Sequence, residues 1–82
     1  MHSVSHVTVD YHSELPPYKQ VAGFIAAKIE SGELAPGDPV PSVARLMQEY
    51  GIARTTAGKV LRYLQEQGLV VISRGWGTFV KR

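Results

Sequence analysis

The feature that most constrains the fold is a pair of helical patterns separated by only three residues. The first follows Ser42, a residue type that commonly caps helix N-termini, and the second covers about 54–67. The apolar positions at helical spacing are Val43, Leu46, Met47 and Tyr50 in the first pattern and Ala57, Val60, Leu61 and Leu64 in the second. Residues 51–53, which contain a glycine, join the two patterns. Two helices joined by so tight a turn predict a helix-turn-helix.

A third helical pattern precedes this pair. Apolar residues recur at helical spacing over about 17–31, behind a proline pair that suits a first helical turn. Gly32 follows at the position where helices commonly end. Further upstream, the β-branched alternation over 6–10 predicts a short strand.

The C-terminal part of the chain predicts a β-hairpin. Residues 69–73 and 78–81 have the pattern of strands, and the glycine-containing segment 74–77 joins them. A hairpin directly after a helix-turn-helix makes it a winged helix-turn-helix. The predicted fold is therefore mainly α with a small two-stranded wing, divided into an N-terminal arm over 1–14 and a winged helix over 15–82.

Size and composition exclude several classes of protein. A chain of 82 residues holds one core, so a two-domain enzyme is excluded, and the absence of cysteine excludes disulfides and thiolate chemistry. The longest run of strong hydrophobes, 69–72, is far shorter than the roughly 20 residues of a membrane span. No secretory signal pattern is present at the N-terminus, so we expect a cytoplasmic protein.

Charge is distributed unevenly along the chain. Residues 1–50 carry three basic and six acidic side chains, a formal charge of −3, whereas residues 51–82 carry six basic and one acidic, a formal charge of +5. Such asymmetry suggests an end that binds a polyanion, with a solvated basic face as the ordinary alternative.

The polar face of the helix predicted over about 54–67 carries the most functional information. It presents Arg54, Thr55, Gly58, Lys59 and Arg62 opposite the apolar stripe. In helix-turn-helix docking the first turns of this helix meet base edges: arginine can bind guanine with two hydrogen bonds and threonine can contact thymine. The first-turn amides of Thr55 and Thr56 suit a phosphate oxygen. The alternative is an ordinary amphipathic helix, and Gly58 is either a point of close approach to DNA or a tolerated glycine.

The segment joining the two strands offers one charge and one large aromatic side chain. Arg74 could contact the minor groove or a phosphate, whereas Gly75 and Gly77 are explained more simply as turn residues. Trp76 either stacks on a base or sugar or folds back onto the sheet. No helix follows, so the segment is not a phosphate-cradling loop.

Catalytic and metal chemistry has little support. His2, His6 and His12 have irregular spacing, and Glu30 and Glu33 resemble solvated charges more than an acid–base pair. We therefore expect no enzyme activity, no cofactor and no metal site.

In order and spacing, the motifs of residues 15–81 resemble the DNA-binding domain of GntR-family bacterial transcription regulators. The matching stretches are PYKQV at 17–21, IESGEL at 29–34, PGD at 36–38, PS at 41–42, YGIARTT at 50–56, GLV at 68–70 and GWGTFV at 75–80. The residues 7–10 ahead of this domain are similar to the short-bodied YtrA-like branch.

The resemblance implies a winged helix that binds short inverted repeats of double-stranded DNA as a dimer, usually to repress transcription. By position it implies DNA contacts from Arg54, Thr55 and Thr56 in the recognition helix and from Arg74 and Gly75 in the wing. The start of the second helix is a further contact region of the family. We expect Arg54 and Thr55 to read bases, and we expect Arg45, Thr56 and Lys59 to hold the phosphate backbone.

This chain departs from the family pattern at several positions. The arginine that many relatives carry at position 44 is Ala44 here, with Arg45 one residue later, and Gly58 replaces a common basic residue. Ala53 replaces the usual serine or threonine, so the recognition helix is expected to lack a side-chain cap.

The resemblance stops short of the C-terminal ligand-sensing domain that such regulators normally carry. The alternatives are a stand-alone DNA-binding protein and a fragment of a larger ligand-responsive regulator, and no small-molecule effector site is expected in these residues. A winged helix that binds an acidic protein is the other functional hypothesis. Val71 and Ile72 could form a self-association surface or be covered by the strand predicted near 7–9.

Overall fold

The computed structural model describes residues 8–82 and contains three helices followed by a two-stranded antiparallel sheet. The elements are α1 (Pro17–Ser31), α2 (Val43–Tyr50), α3 (Arg54–Glu66), β1 (Val70–Ser73) and β2 (Gly77–Val80). The winged helix-turn-helix prediction is confirmed, and the predicted boundaries are met to within one or two residues.

The helix ends follow from local sequence. Pro17 opens α1, where a missing N–H costs nothing, and Gly32 ends it in the left-handed region at φ 87°. Gly51 ends α2 in the same region at φ 64°, and its N–H bonds to the carbonyl of Met47. Because a side chain is strained in that conformation, glycine permits the chain to leave α2 and start α3 within three residues.

One hydrophobic core joins all the elements. α3 lies at its centre and contacts α1, α2 and β1. The buried hydrophobic residues are Val21, Ala22 and Ile25 of α1, Leu46 of α2, Ile52 of the turn, Ala57, Val60, Leu61 and Leu64 of α3, and Val70 and Val80 of the strands, with Val40 from the loop before α2. The apolar stripe predicted for α3 is therefore its buried face, which fixes the opposite face toward solvent.

The wing is tied to the helices by a third backbone segment. β1 and β2 pair from Val70 opposite Val80 to Ser73 opposite Gly77. On the other side of β2, the loop segment 37–40 makes three backbone hydrogen bonds of 2.8 Å. These are Gly37 N–H to the Val80 carbonyl, Val80 N–H to the Asp38 carbonyl, and Val40 N–H to the Thr78 carbonyl. We call this segment the loop strand.

The strand predicted over 6–10 is wrong for residues 8–10, which form no strand, and residues 6–7 lie outside the described part of the chain. The side chain of Gln20 explains the difference. Its amide accepts from the Asp10 N–H at 2.8 Å and donates to the carbonyls of Asp10 and Leu15 at 2.8 and 2.7 Å. The arm thus satisfies its backbone groups on α1 rather than on a strand, which alternation alone could not reveal.

Candidate nucleic-acid interface

The exposed face of α3 begins with a cluster of polar residues. Arg54, Thr55 and Lys59 are exposed, and Thr56 and Gly58 are half-buried. Within residues 8–82 the guanidinium of Arg54 has no ion-pair partner. The structure thus brings the five predicted α3 residues to one end and one side of a helix whose other side is fixed in the core.

The N-terminus of α3 is uncapped. Ala53 has extended backbone at φ −71° and ψ 159°, and no side chain among residues 8–82 caps the first turn. The first N–H groups of a helix have no partner inside the helix, and together with the helix dipole they favour an anion. Thr55 and Thr56 therefore present backbone amides as well as hydroxyls to solvent at this end.

Lys59 is held by a contact that sequence reasoning missed. Its Nζ lies 5.6 Å from the ring centroid of Tyr18 on α1. Tyr18 packs edge to face on Tyr63 of α3 at 5.7 Å, and Lys19 Nζ lies 5.9 Å from the Tyr63 ring. The contacts therefore run from Lys59 to Tyr18, Tyr63 and Lys19, and successive side chains come from α3 and α1 in turn. No sequence signal could reveal this, because the pairing depends on how α1 packs against α3.

The start of α2 is satisfied within the protein. The Ser42 hydroxyl accepts from the Arg45 N–H at 3.2 Å, so the predicted cap is confirmed. The Arg45 guanidinium donates to Glu49 Oε2 at 3.0 Å, one turn further along the helix. Arg45 is exposed, but unlike Arg54 it is paired with a carboxylate of its own helix.

Tyr50 ends α2 as a packing residue. Its ring stacks on Phe24 of α1 with centroids 5.8 Å apart. Burial raises the pKa of its phenol, and the nearby carboxylates of Glu49 and Glu33 raise it further. The hydroxyl therefore stays neutral at physiological pH.

Gly58 has room for a side chain. A methyl group built at this position would meet only Arg62 Nη1, at 3.7 Å, which is ordinary contact. Its φ is not positive, so neither backbone conformation nor packing within residues 8–82 requires glycine here. The fold of residues 8–82 is therefore compatible with both alternatives, a close approach to DNA and a tolerated glycine.

The wing tip projects from the sheet. Arg74 and Gly75 are exposed, and Gly75 has φ 79°, a conformation that suits glycine. Trp76 is 81% exposed, so it does not fold back onto the sheet. Trp76 and Gly77 line one cleft with Ser42 of α2, which places the wing beside the start of that helix.

Two further findings bear on the class of protein. Among residues 8–82, no three histidine, cysteine, aspartate or glutamate side chains lie close enough to share a metal ion, and His2 and His6 lie outside this range. No helix within the same range is both long enough and apolar enough to span a membrane.

A helix pair joined by a three-residue turn, followed by a hairpin tied back to the helices, defines a winged helix-turn-helix protein. The family is specified by comparison with known sequences. Residues 17–80 match the model for bacterial regulatory proteins of the gntR family, and the chain belongs to that family.

Several of the similar curated proteins are repressors. The chain is 42% identical over 66 residues to the mannosyl-D-glycerate transport/metabolism system repressor MngR of Escherichia coli (strain K12), a match that covers 80% of this chain and 28% of MngR. It is 43% identical over 65 residues to the histidine utilization repressor of Klebsiella aerogenes, covering 79% and 27% respectively. The chain thus spans less than a third of the length of these relatives.

Solved structures agree with the fold. YtrA from Sulfolobus acidocaldarius, a GntR-family transcription factor, superposes with a TM-score of 0.85 at 36% identity, covering 95% of this chain and 82% of YtrA. The DNA-binding domain of AraR in complex with operator ORX1 superposes with a TM-score of 0.81 at 34% identity, covering 94% and 99%.

Proposed function

We propose that this chain binds double-stranded DNA sequence-specifically, as the DNA-binding domain of a bacterial transcription regulator that represses by occupying its operator. The observation that carries the proposal is the exposed start of α3. It combines two threonines with an arginine and a helix N-terminus that have neither an ion-pair partner nor a side-chain cap among residues 8–82, on a face held outward by the core.

Each side chain of the interface has a chemical role in this proposal. Arg54 and Thr55 read base edges in the major groove, where arginine pairs with guanine and threonine contacts thymine. Thr56, Lys59 and Arg45 hold phosphates, which fix the register of the protein on the duplex. Gly58, lacking a side chain, lets α3 approach the groove closely.

The wing adds a second contact region. Arg74 carries its charge to the minor groove or an adjacent phosphate, and Gly75 lets the backbone at the tip approach the DNA. The proximity of the wing to the start of α2 supports a continuous surface. The complex of the AraR domain with its operator supports DNA binding by this fold, since that domain superposes on nearly the whole of this chain.

Two copies on an inverted repeat complete the proposal. A two-fold operator mirrors a two-fold protein, and half-sites about one helical turn apart place two α3 helices in successive major grooves. Residues 1–14 act as an arm and residues 15–82 as the DNA-binding unit. The role requires no catalytic residue, cofactor or small-molecule site within these residues, and its setting is the cytoplasm, where the chromosome lies.

Selection from a random duplex pool at about 0.15 M salt, the physiological ionic strength, tests the proposal. The bound fraction is sequenced, and we expect an inverted repeat to be enriched. Binding without enrichment would contradict sequence-specific reading. Absence of binding would contradict the DNA-binding role altogether and favour a winged helix that binds an acidic protein.

A salt titration separates the phosphate contacts from the rest. Lys59→Ala should weaken operator and random duplexes alike and reduce the slope of log K against log salt by about one unit, because one fewer counterion is released. Lys28→Ala is the matched control, since it removes one lysine charge from the last turn of α1. Equal effects of the two variants would remove Lys59 from the interface.

A further inference from the structure

The wing exposes apolar surface that the core does not use. Among residues 8–82, the large hydrophobic side chains that are exposed are Tyr11, Leu15, Val71, Ile72 and Trp76, and the last three belong to the hairpin. Trp76 is the most exposed of them, at 81%. Tryptophan side chains are highly buried on average in folded proteins, so one with this exposure calls for an explanation.

The backbone places this indole in the turn that joins β1 to β2, at the tip of the wing. The backbone N–H of Trp76 donates to the Ser73 carbonyl at 3.1 Å, and this hydrogen bond closes a tight turn between the strands. Gly75 at φ 79° and Gly77 at φ 120° flank the tryptophan, so neither neighbour contributes a side chain. The tip is therefore a thin backbone turn whose bulk is one planar aromatic ring, with the Arg74 charge beside it.

These features fit the minor groove of DNA better than a flat protein surface. The groove is only about 6 Å wide and its electrostatic potential is negative, which suits a thin tip carrying an arginine. Its walls are deoxyribose rings, which offer apolar C–H surface to an indole. Residues 51–82, which contain the tip, have a formal charge of +5, which disfavours a basic partner.

We propose that Trp76 is a DNA-contact residue whose indole packs against the deoxyribose wall of the minor groove, next to the contact made by Arg74. The inference rests on the proposed function and adds to it a contact of different chemistry, apolar rather than ionic. Because every nucleotide carries the same sugar, the contact strengthens binding without selecting sequence.

The chain carries its own reporter for this contact. Trp76 is the sole tryptophan of the 82 residues, so emission excited at the red edge of the absorption band comes from this side chain alone. A fluorescently labelled duplex is titrated with the full chain, and its anisotropy reports binding. In parallel, the tryptophan emission and its quenching by acrylamide are followed with unlabelled duplex.

We expect the emission to change and the acrylamide quenching to fall with the same midpoint as the anisotropy. If a duplex binds while emission and quenching stay constant, the inference is overturned and the proposed function stands. If no duplex binds, the proposed function is overturned and the inference falls with it.

Substitutions test how much the Trp76 contact contributes to DNA affinity. Trp76→Ala should weaken operator and random duplexes by a similar factor of roughly ten, the scale of one aromatic contact with a nucleotide, whereas Trp76→Phe should retain most of the affinity. Leu15→Ala, which removes another exposed apolar side chain just before α1, is the control and should bind normally. Thermal unfolding of each variant reports folding independently.

Two outcomes would overturn the claim that the Trp76 contact strengthens binding without selecting sequence. Unchanged affinity of a folded Trp76→Ala variant for both duplexes would remove the contact. A loss confined to the operator would assign the indole to base reading and refute the sugar contact.

Discussion

The two helices of the helix-turn-helix begin with nearly the same backbone and opposite chemistry. Ser42 and Ala53 precede α2 and α3 with φ −71° in both cases and ψ 170° and 159°. At α2 the serine hydroxyl caps the first turn and Arg45 is bound to Glu49. At α3 the cap is absent, and Arg54 has no ion-pair partner within residues 8–82.

The difference separates a helix completed by its own side chains from one that leaves its polar groups available. α2 is short, with eight residues, and gains from a cap because short helices are marginal. α3 has four buried side chains that hold it in the core, so it can leave its first turn unsatisfied by protein groups. An anionic partner at α3 therefore meets donors that need not first be released from an internal contact.

The largest effect is expected from Arg54→Ala. If the open start of α3 reads bases, the variant should lose about 1–3 kcal/mol of operator binding, or roughly five- to 150-fold in Kd, and should lose base preference at one operator position. Anisotropy titrations with operator and random duplexes measure both. Lys28→Ala removes one positive charge from α1 and serves as the control. Equal losses on operator and random DNA would place Arg54 on a phosphate instead.

A smaller effect is expected when the α2 cap is removed. Ser42→Ala leaves the first-turn N–H of Arg45 without its acceptor and should lower the free energy of unfolding by about 1 kcal/mol. Urea unfolding followed by circular dichroism measures it. Ser73→Ala, which removes a β1 hydroxyl that makes no side-chain hydrogen bond among residues 8–82, is the control. A loss no larger than that of the control would show that the cap contributes little to stability.

The reciprocal substitution should close the difference between the helices. Ala53→Ser has the backbone geometry that Ser42 uses, so the new hydroxyl can cap α3 and should raise the free energy of unfolding by roughly 0.5–1 kcal/mol. Ala44→Ser, inside α2, adds the same hydroxyl where no cap can form and should cost a few tenths of a kcal/mol. Matching changes in the two variants would mean that α3 gains nothing from a cap.

The smallest effect is expected at the ion pair of α2. Glu49→Gln frees Arg45 for phosphate and should strengthen DNA binding by up to about 1 kcal/mol, since exposed pairs are weak. Glu30→Gln removes one exposed acidic charge from α1 and controls for net charge. An equal gain in both variants would show that charge alone, and not release of Arg45, is responsible.

The sequence predicted the elements that depend on local patterns. The ends of the helices were predicted from Ser42, Gly32 and Gly51, and the buried face of α3 was predicted from the spacing of its apolar residues. Each of these signals depends only on residues close together in the sequence. Once the buried face of α3 is known, the polar residues on its opposite face are predicted to be exposed. The absent α3 cap was also predictable, since alanine has no acceptor.

What the sequence did not predict depends on contacts between distant segments. The Tyr18–Lys59 contact requires α1 and α3 to cross at one point, and the loop strand requires residues 37–40 to lie against β2. The pairing of Arg45 with Glu49 was within reach, since residues four apart on a helix are neighbours, but the spacing does not indicate whether such a pair forms. The strand predicted over 6–10 was wrong at 8–10 for the converse reason: a local pattern found no partner strand.

The loop strand has a consequence for how the molecule opens. Its three hydrogen bonds join the connection between α1 and α2 to the strand that follows the wing tip, so the hairpin cannot detach without also freeing the entry to the helix pair. The amide protons of Val40 and Val80 should therefore exchange with solvent only when the whole domain unfolds, whereas those at the tip, around Gly75, should exchange rapidly. The wing would then combine two parts. The strand ends held by the loop strand would open only when the whole domain unfolds, and the tip would be free to change its conformation on contact with a partner.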